Sequence, residues 1–337
     1  MPAIIDSHVH FWQPAHLRYE WLADRPAINR PHQPAELSQA AAGLDLQQIV
    51  FVQADCAPEE GLKEVAWVSE LAQNEPRIQA IVAFAPLEHE AEMPAYLEQL
   101  ARFPLVKGVR RLIQSEGPGF AVRPNFIRGV QRLAEFNFSF DICIIHHQLA
   151  EVRQLVAACP DVSFVLDHCG KPNIKENIQE PWQTDLTRLT ENAHVACKLS
   201  GLVTEADWSV WRPEALKPYI DHVLTVFGCD RVMFGSDWPV VSLNPLRGIH
   251  TAVNHQPWQS GDPSQAQAIA DAICSYTRDA AYAEFQETRK GQLQPGCLAD
   301  LVLLSDNIFA IPPEEIGQLA VDLTVCDGAV VYEKESQ

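Results

Sequence analysis

Ile4-Ile5-Asp6-Ser7-His8-Val9-His10-Phe11-Trp12 is the stretch on which the fold turns. An apolar pair runs straight into two histidines separated by one valine. In an extended strand, residues two apart point the same way, so Asp6, His8 and His10 share a face. The strand rise sets the two imidazoles about 7 Å apart along the backbone, a spacing that rotamer choice can close onto one metal ion. An H-x-H pair alone is equally compatible with a packed, purely structural role. What the remaining chain places beside it decides between the two.

Outward from this stretch, eight short apolar runs rich in β-branched residues precede residue 241: 3–6, 48–54, 78–86, 106–113, 138–145, 162–168, 194–201 and 231–237. Longer amphipathic patterns lie between them, among them 61–73, 126–136 and 214–227. Strand runs that are apolar on both faces imply a parallel sheet covered by its crossover helices. Eight such units predict an α/β fold of the (β/α)8 TIM-barrel type, with a doubly wound open sheet as the alternative. In a barrel the C-terminal strand ends converge on one mouth. That would bring together His8 and His10, Arg110 and Arg111, His146 and His147, His168, Ser200 and Asp237.

Composition excludes several classes of function. The 337 residues carry 25 Lys and Arg against 44 Asp and Glu, a formal charge of −19, which repels phosphate backbones and anionic lipid. Neither nucleic acid nor membrane is therefore an expected partner, and no apolar run approaches the roughly 18 residues of a membrane span. Asp6 falls where an export signal would carry basic and then apolar residues, so a cytoplasmic location is expected. The nine cysteines form no C-x-x-C pair, and several lie inside apolar runs, as expected of buried thiols in a reducing compartment.

The segments DHCGKP (167–172) and FGSDWPV (234–240) add an imidazole, His168, and a carboxylate, Asp237, at two further strand ends. With His8 and His10 they make a His3Asp set suited to zinc or a similar divalent ion with one position left for water. Arg110 and Arg111 alternate in direction, so only one can face the mouth, as can only one of His146 and His147. Asp141 and Asp167 are read as orienting their neighbours. Trp12 and Trp238 could wall a sugar-sized pocket with their flat faces.

Taken in order, DSHVHFW, VKGVRR, VLDHCGKP, CKLSG and RVMFGSDWPV resemble the amidohydrolase superfamily, in particular its amidohydrolase-2 branch of sugar lactonases, over about residues 3–241. The resemblance implies a distorted TIM barrel whose site is formed by His8, His10, His168 and Asp237, with Asp237 as the general base and His168 beside it. It favours Arg110 as a carboxylate or hydroxyl binder. It also implies one divalent metal, zinc, with a metal-free mechanism as the alternative, because no bridging lysine stands out near Lys107 and Arg110. The expected reaction is hydrolysis of a small lactone, most plausibly of a sugar acid. The competing expectations are a metal-dependent decarboxylase of an unsaturated acid and an inactive hybrid that only binds. The loops 11–36 and 172–185 are expected to select the substrate.

Beyond Asp237 the sequence changes character. Residues 272–285, 290–307 and 323–334 resemble the C-terminal part of amidohydrolase-3 proteins, where a helix closes the barrel and two strand runs join a small β-sandwich. The residues agree: ADLVLL and AVVYE are strand-like and Asp327-Gly328 is a turn signal. The expected organisation is a catalytic barrel over 1–285 and a partial β-sandwich over 286–337. With half the sandwich missing, the barrel or a second copy of the chain would cover the tail, which makes a homodimer one expectation.

Overall fold

The computed structural model describes residues 3–25, 28–41, 44–207, 213–241, 266–278 and 288–334, with 246, 249, 250, 253 and 254 between them. The chain forms two compact units, Met1–Glu205 with Tyr219–Val241, and Ala206–Pro218 with Ser242–Gln337.

Eight strands make one parallel sheet in strict sequence order: β1 (Ile4–Val9), β2 (Leu46–Val52), β3 (Ile78–Ala83), β4 (Val106–Arg110), β5 (Ser139–Ile142), β6 (Phe164–Leu166), β7 (Val195–Leu199) and β8 (Val232–Phe234). A helix follows each of the first seven: α1 (Pro34–Ala40), α2 (Gly61–Asn74), α3 (Met93–Leu100), α4 (Pro124–Arg132), α5 (Leu149–Ala158), α6 (Trp182–Leu189) and α7 (Pro213–Phe227). Closure comes from the backbone, since Asp237 N–H donates to His8 O at 2.9 Å and His10 N–H to Trp238 O at 2.8 Å. Asp6 reinforces the seam by accepting the N–H groups of His8 (3.1 Å) and Ser236 (2.9 Å) with one carboxylate oxygen. The barrel predicted from the eight runs is the fold.

Most strands are shorter than their apolar runs, because the ends that leave the hydrogen-bonded ladder become the loops of the mouth. The first strand is the exception. Its run ends at Asp6, yet the strand continues to Val9, which pairs with Phe51 of β2. Both histidines thus stand on or directly beyond a fixed strand rather than on a loose loop.

Alternation explains the core. Ile49, Phe51, Ile81, Val109, Phe140, Phe164 and Leu166 are all buried, as are Val65 and Val68 of α2 and Leu97 and Leu100 of α3 on the helix faces turned to the sheet. Each such side chain stabilises the fold by about 1.5–3 kcal/mol relative to exposure. Five of the nine cysteines, Cys56, Cys143, Cys159, Cys169 and Cys197, are buried free thiols.

The second unit holds a three-stranded antiparallel sheet, β9 (Leu301–Leu304), β10 (Val321–Cys326) and β11 (Ala329–Glu333), with β10 in the middle. Asp327 and Gly328 turn β10 into β11 with φ of 49° and 77°, the left-handed pair that a two-residue hairpin needs. A small core joins Ala272 of α8 (Ile269–Tyr276) to Leu246, Ile249, Ile308 and Ile316, while Val302, Leu303 and Val330 of the sheet are exposed. The end of the helix expected over 272–285 lies outside the described residues.

Candidate active site

His8 and His10 project from β1 into the barrel, buried, with their Nε2 atoms 3.1 Å apart. Their protons can be placed from their neighbours. Nδ1 of His10 is 2.7 Å from the carbonyl oxygen of Val52, so that nitrogen carries the hydrogen and Nε2 carries the lone pair. On His8, Nε2 faces the Arg110 guanidinium at 3.3 Å, which can only donate, while Nδ1 faces a carboxylate oxygen of Asp167 at 3.3 Å. With its hydrogen on Nδ1, toward Asp167, His8 presents a lone pair at Nε2 as well. The Asp237 carboxylate completes the group, 3.4 Å from His10 Nε2 and 3.8 Å from His8 Nε2.

With the His8 hydrogen on Nδ1, three acceptors converge, and a cation between them, either a metal ion or an added proton, satisfies all three; without one, the other His8 tautomer donates from Nε2 to His10 Nε2 at 3.1 Å. Ligands at 2.0–2.2 Å around a tetrahedral metal are about 3.3–3.6 Å from one another, close to the three separations found here. His8, His168 and Asp237 also offer ligand atoms within 4.8 Å of one another. The donor set fits one divalent ion.

His168 and Asp237 share an unusual backbone. Both lie just beyond a strand end with left-handed φ, 51° and 60°, and the left-handed run continues through Cys169, Gly170 and Lys171. Such conformations are costly for residues with a Cβ and persist where surrounding structure enforces them. Here the Trp182 indole N–H donates to the Cys169 carbonyl at 2.8 Å, and His168 Nδ1 is fixed 2.9 Å from the Ser200 hydroxyl. Gly201, itself at φ 60°, leaves the room that both side chains need. A Cβ there would lie 2.7 Å from His168 Nδ1 and 2.9 Å from Asp237 Oδ2.

A buried layer of charge adjoins the histidines, with one residue from each of four consecutive strand ends. Arg110 comes from β4, Asp141 from β5, Asp167 from just past β6 and Lys198 from β7, and none is more than 4% exposed. Lys198 Nζ lies 2.5 Å from Asp141 and 3.1 Å from Asp167. Arg110 reaches Asp167 at 3.2 Å and the Gln53 carbonyl at 2.5 Å.

The electrostatics follow. Burial disfavours the charged imidazoles, holding His8 well below its ordinary range and His168 down to about 4, so both are neutral at physiological pH. Burial raises the Asp237 carboxyl, whereas protons on the neighbouring His168, His10 and His8 rings would hold it well below the ordinary carboxylate range. At Asp167 the attraction of Lys198, His8 and Arg110 likewise overcomes burial.

Of the residues singled out in the sequence, His8, His10, His168, Asp237 and Arg110 meet. Arg110 is the inward member of its pair, and Arg111 turns away to ion pairs with Glu88 and Glu116. The Arg110 guanidinium is engaged by Asp167, Gln53 and His8. Trp12 is fully buried in a cluster with Leu17, Tyr19 and Leu22, its N–H shared by the carbonyls of Ile28 and Arg30. Trp238 is buried against Phe11 and His32. His146 is half-buried with Nδ1 3.1 Å from the Lys171 carbonyl, and His147 is exposed. Lys198 and Gly201 escaped the sequence argument. Parity alone could have found Lys198, since it shares a face with Ser200, a charged side chain inside an apolar run.

The amidohydrolase family model, described simply as amidohydrolase, matches residues 5–273. The chain belongs to the amidohydrolase family. It is a hydrolase, as the motif set implies. A second amidohydrolase family model matches residues 230–332, so β8 and Asp237 fall within both. L-fucono-1,5-lactonase of Burkholderia multivorans is 34% identical over 253 residues, 71% of this chain and 83% of that protein. A crystal structure of an amidohydrolase from Burkholderia multivorans with bound zinc superposes with a TM-score of 0.65 at 30% identity, covering 85% of this chain and 95% of that one. YtcJ of Bacillus subtilis is 35% identical over 105 residues, 30% of this chain and 20% of that protein. The barrel and the tail thus resemble different branches, as the change of character after Asp237 suggests.

Proposed function

We propose that the chain hydrolyses a sugar-acid lactone, with Asp237 as the base that activates water and His8, His10 and His168 around it. The convergence of two imidazole Nε2 atoms and a carboxylate within 3.1–3.8 Å carries the proposal. Likeness to an L-fucono-1,5-lactonase supports the substrate class. A divalent ion, zinc by the likeness to the zinc-bound relative, would be held by His8, His10 and Asp237 with His168 adjacent, and would supply Lewis-acid polarisation of the lactone carbonyl.

The chain's own groups account for the proton inventory. Asp237, ionised and aimed into the site, takes a proton from the water that attacks the carbonyl carbon. The bond from that carbon to the ring oxygen then breaks, and the departing oxygen takes the proton back from Asp237, leaving an open-chain hydroxy acid. His168, steadied by Ser200, keeps a neutral imidazole beside Asp237 throughout. Trp238 and His146 are proposed as walls for the sugar ring, with Arg110 holding the site from within the barrel; Trp12 and His147 would act at most through their neighbours.

Acid release from a panel of aldonolactones, followed with a pH indicator, tests the proposal. Ring opening of a five- or six-membered sugar lactone is expected. Carbon dioxide release from an unsaturated acid, with no lactone opened, would overturn it.

A further inference from the structure

The buried charge layer has no place in the proton inventory above. Replacing such a set by apolar side chains of similar volume is often neutral or stabilising, so its retention calls for a role other than stability. Four groups make it up, two cations and two carboxylates, and the geometry shows what they hold. Asp167 lies at the centre. One oxygen meets Lys198 Nζ at 3.1 Å and His8 Nδ1 at 3.3 Å, and the other meets Arg110 at 3.2 Å. Asp167 is the carboxylate that faces His8 Nδ1, within ion-pair reach but without the alignment of a full hydrogen bond. If Asp167 turned away, only the 3.3 Å contact of Arg110 with Nε2 would distinguish the two tautomers of that ring.

Arg110 cannot fix Asp167 alone, because it is divided among Asp167, the Gln53 carbonyl and His8 Nε2. Lys198 is shared only between carboxylates. Its ammonium is clamped between two carboxylates from neighbouring strands, and Asp141 anchors it from β5. We propose that Lys198 is a positioning residue of this site: by holding Asp167, it fixes His8 with its hydrogen on Nδ1 and its Nε2 lone pair turned toward His10 and Asp237. An outer carboxylate that orients a ligating imidazole typically changes metal affinity 10–100-fold. Lys198 acts one step further out. This inference rests on the proposed site at His8, but not on which substrate it opens.

The test uses the full chain labelled with 15N-histidine, the His8 resonances being identified by their loss in His8→Gln. Zinc affinity is measured in parallel by competition with a chromophoric chelator. Wild type is expected to show His8 as a single tautomer protonated on Nδ1. Lys198→Met should give mixed tautomers and zinc binding at least tenfold weaker, and Lys198→Arg should recover part of both. Because Lys198→Met leaves two buried carboxylates facing each other, Lys198→Met combined with Asp141→Asn provides a charge-balanced variant. Leu155→Ala, on the outer helix α5, controls for general destabilisation and should leave both readouts unchanged. A folded double variant with the wild-type His8 tautomer and wild-type zinc affinity would overturn the proposal. If wild type itself binds no zinc, the metal assignment fails, and the tautomer readout still decides the role of Lys198.

Discussion

Nε2 of His8 and Nε2 of His10 face each other across 3.1 Å, with the Val52 carbonyl behind His10 and the Asp167 carboxylate behind His8. With the hydrogens on the two Nδ1 atoms, the facing lone pairs and the Asp237 carboxylate beside them form a socket for positive charge. The main consequences concern the carboxylate. Asp237→Asn keeps the shape of the side chain and removes the base, so turnover should fall by about 10²–10⁴-fold. The thermal midpoint should stay within a few degrees of wild type. Steady-state kinetics beside a melting curve checks this, and an Asn variant with full activity would remove Asp237 from the mechanism.

Gly201→Ala tests the geometry of the mouth. The new methyl would sit 2.7 Å from His168 and 2.9 Å from Asp237 at a residue with φ 60°, so the clash and the left-handed strain act together. A stability loss of about 1–3 kcal/mol is expected from the backbone, and displacement of the two side chains should lower kcat/KM by about 100-fold. Gly119→Ala separates the two effects. Gly119 is also left-handed, at φ 84°, but its Cβ would enter open space, so that variant should lose stability and keep activity.

The acid limb of the pH profile follows from His168. Burial lowers its pKa from 6.5 to about 4, so the neutral ring persists to lower pH than a free imidazole would allow. Activity should therefore decline only as pH approaches about 4. A kcat/KM profile with its acid limb near 6.5 would contradict a buried, neutral His168.

Much of this arrangement can be read in the sequence, because residues that carry chemistry sit where apolar runs stop. His8 and His10, His168 and Asp237 each announce a strand end, and the convergence of such ends in a barrel does the rest. Strand lengths are less legible, since an apolar run continues past the last ladder hydrogen bond into buried loop, as at 162–168, where only Phe164–Leu166 pair. Lys198 was hidden for a different reason. A search for a lysine near the fourth strand leads to Lys107, which is exposed, whereas the buried lysine belongs to the seventh, where strand parity marks its face and its partners show its role. Trp12 misleads in the opposite sense, because whether a Trp after a strand walls a pocket or fills the core depends on a return segment, here 28–32, whose path local sequence does not specify.

Glu64 offers a test of the barrel away from the site. This α2 carboxyl is fully buried, with one oxygen accepting the Ala54 N–H at 3.1 Å, and burial raises its pKa from 4.5 to about 8. The folded-state pKa lies above the unfolded one, so the stability this group contributes is fully present below about pH 4.5 and is lost as pH rises to about 8. The full span is on the order of 5 kcal/mol. Glu64→Gln keeps an acceptor for Ala54 and cannot ionise. Denaturant melts at pH 6 and pH 8 should show a smaller loss of stability in the variant than in wild type, and parallel losses would place a neutral carboxyl at Glu64 in error.

The most direct measurement is the rate of sugar-acid lactone hydrolysis by the full chain after chelation, before and after zinc is restored. The account predicts that stripping the metal abolishes most activity and that about one zinc per chain returns it. Undiminished hydrolysis by metal-free protein would contradict the metal socket at His8, His10 and Asp237, and would assign the positive charge between the imidazoles to a proton.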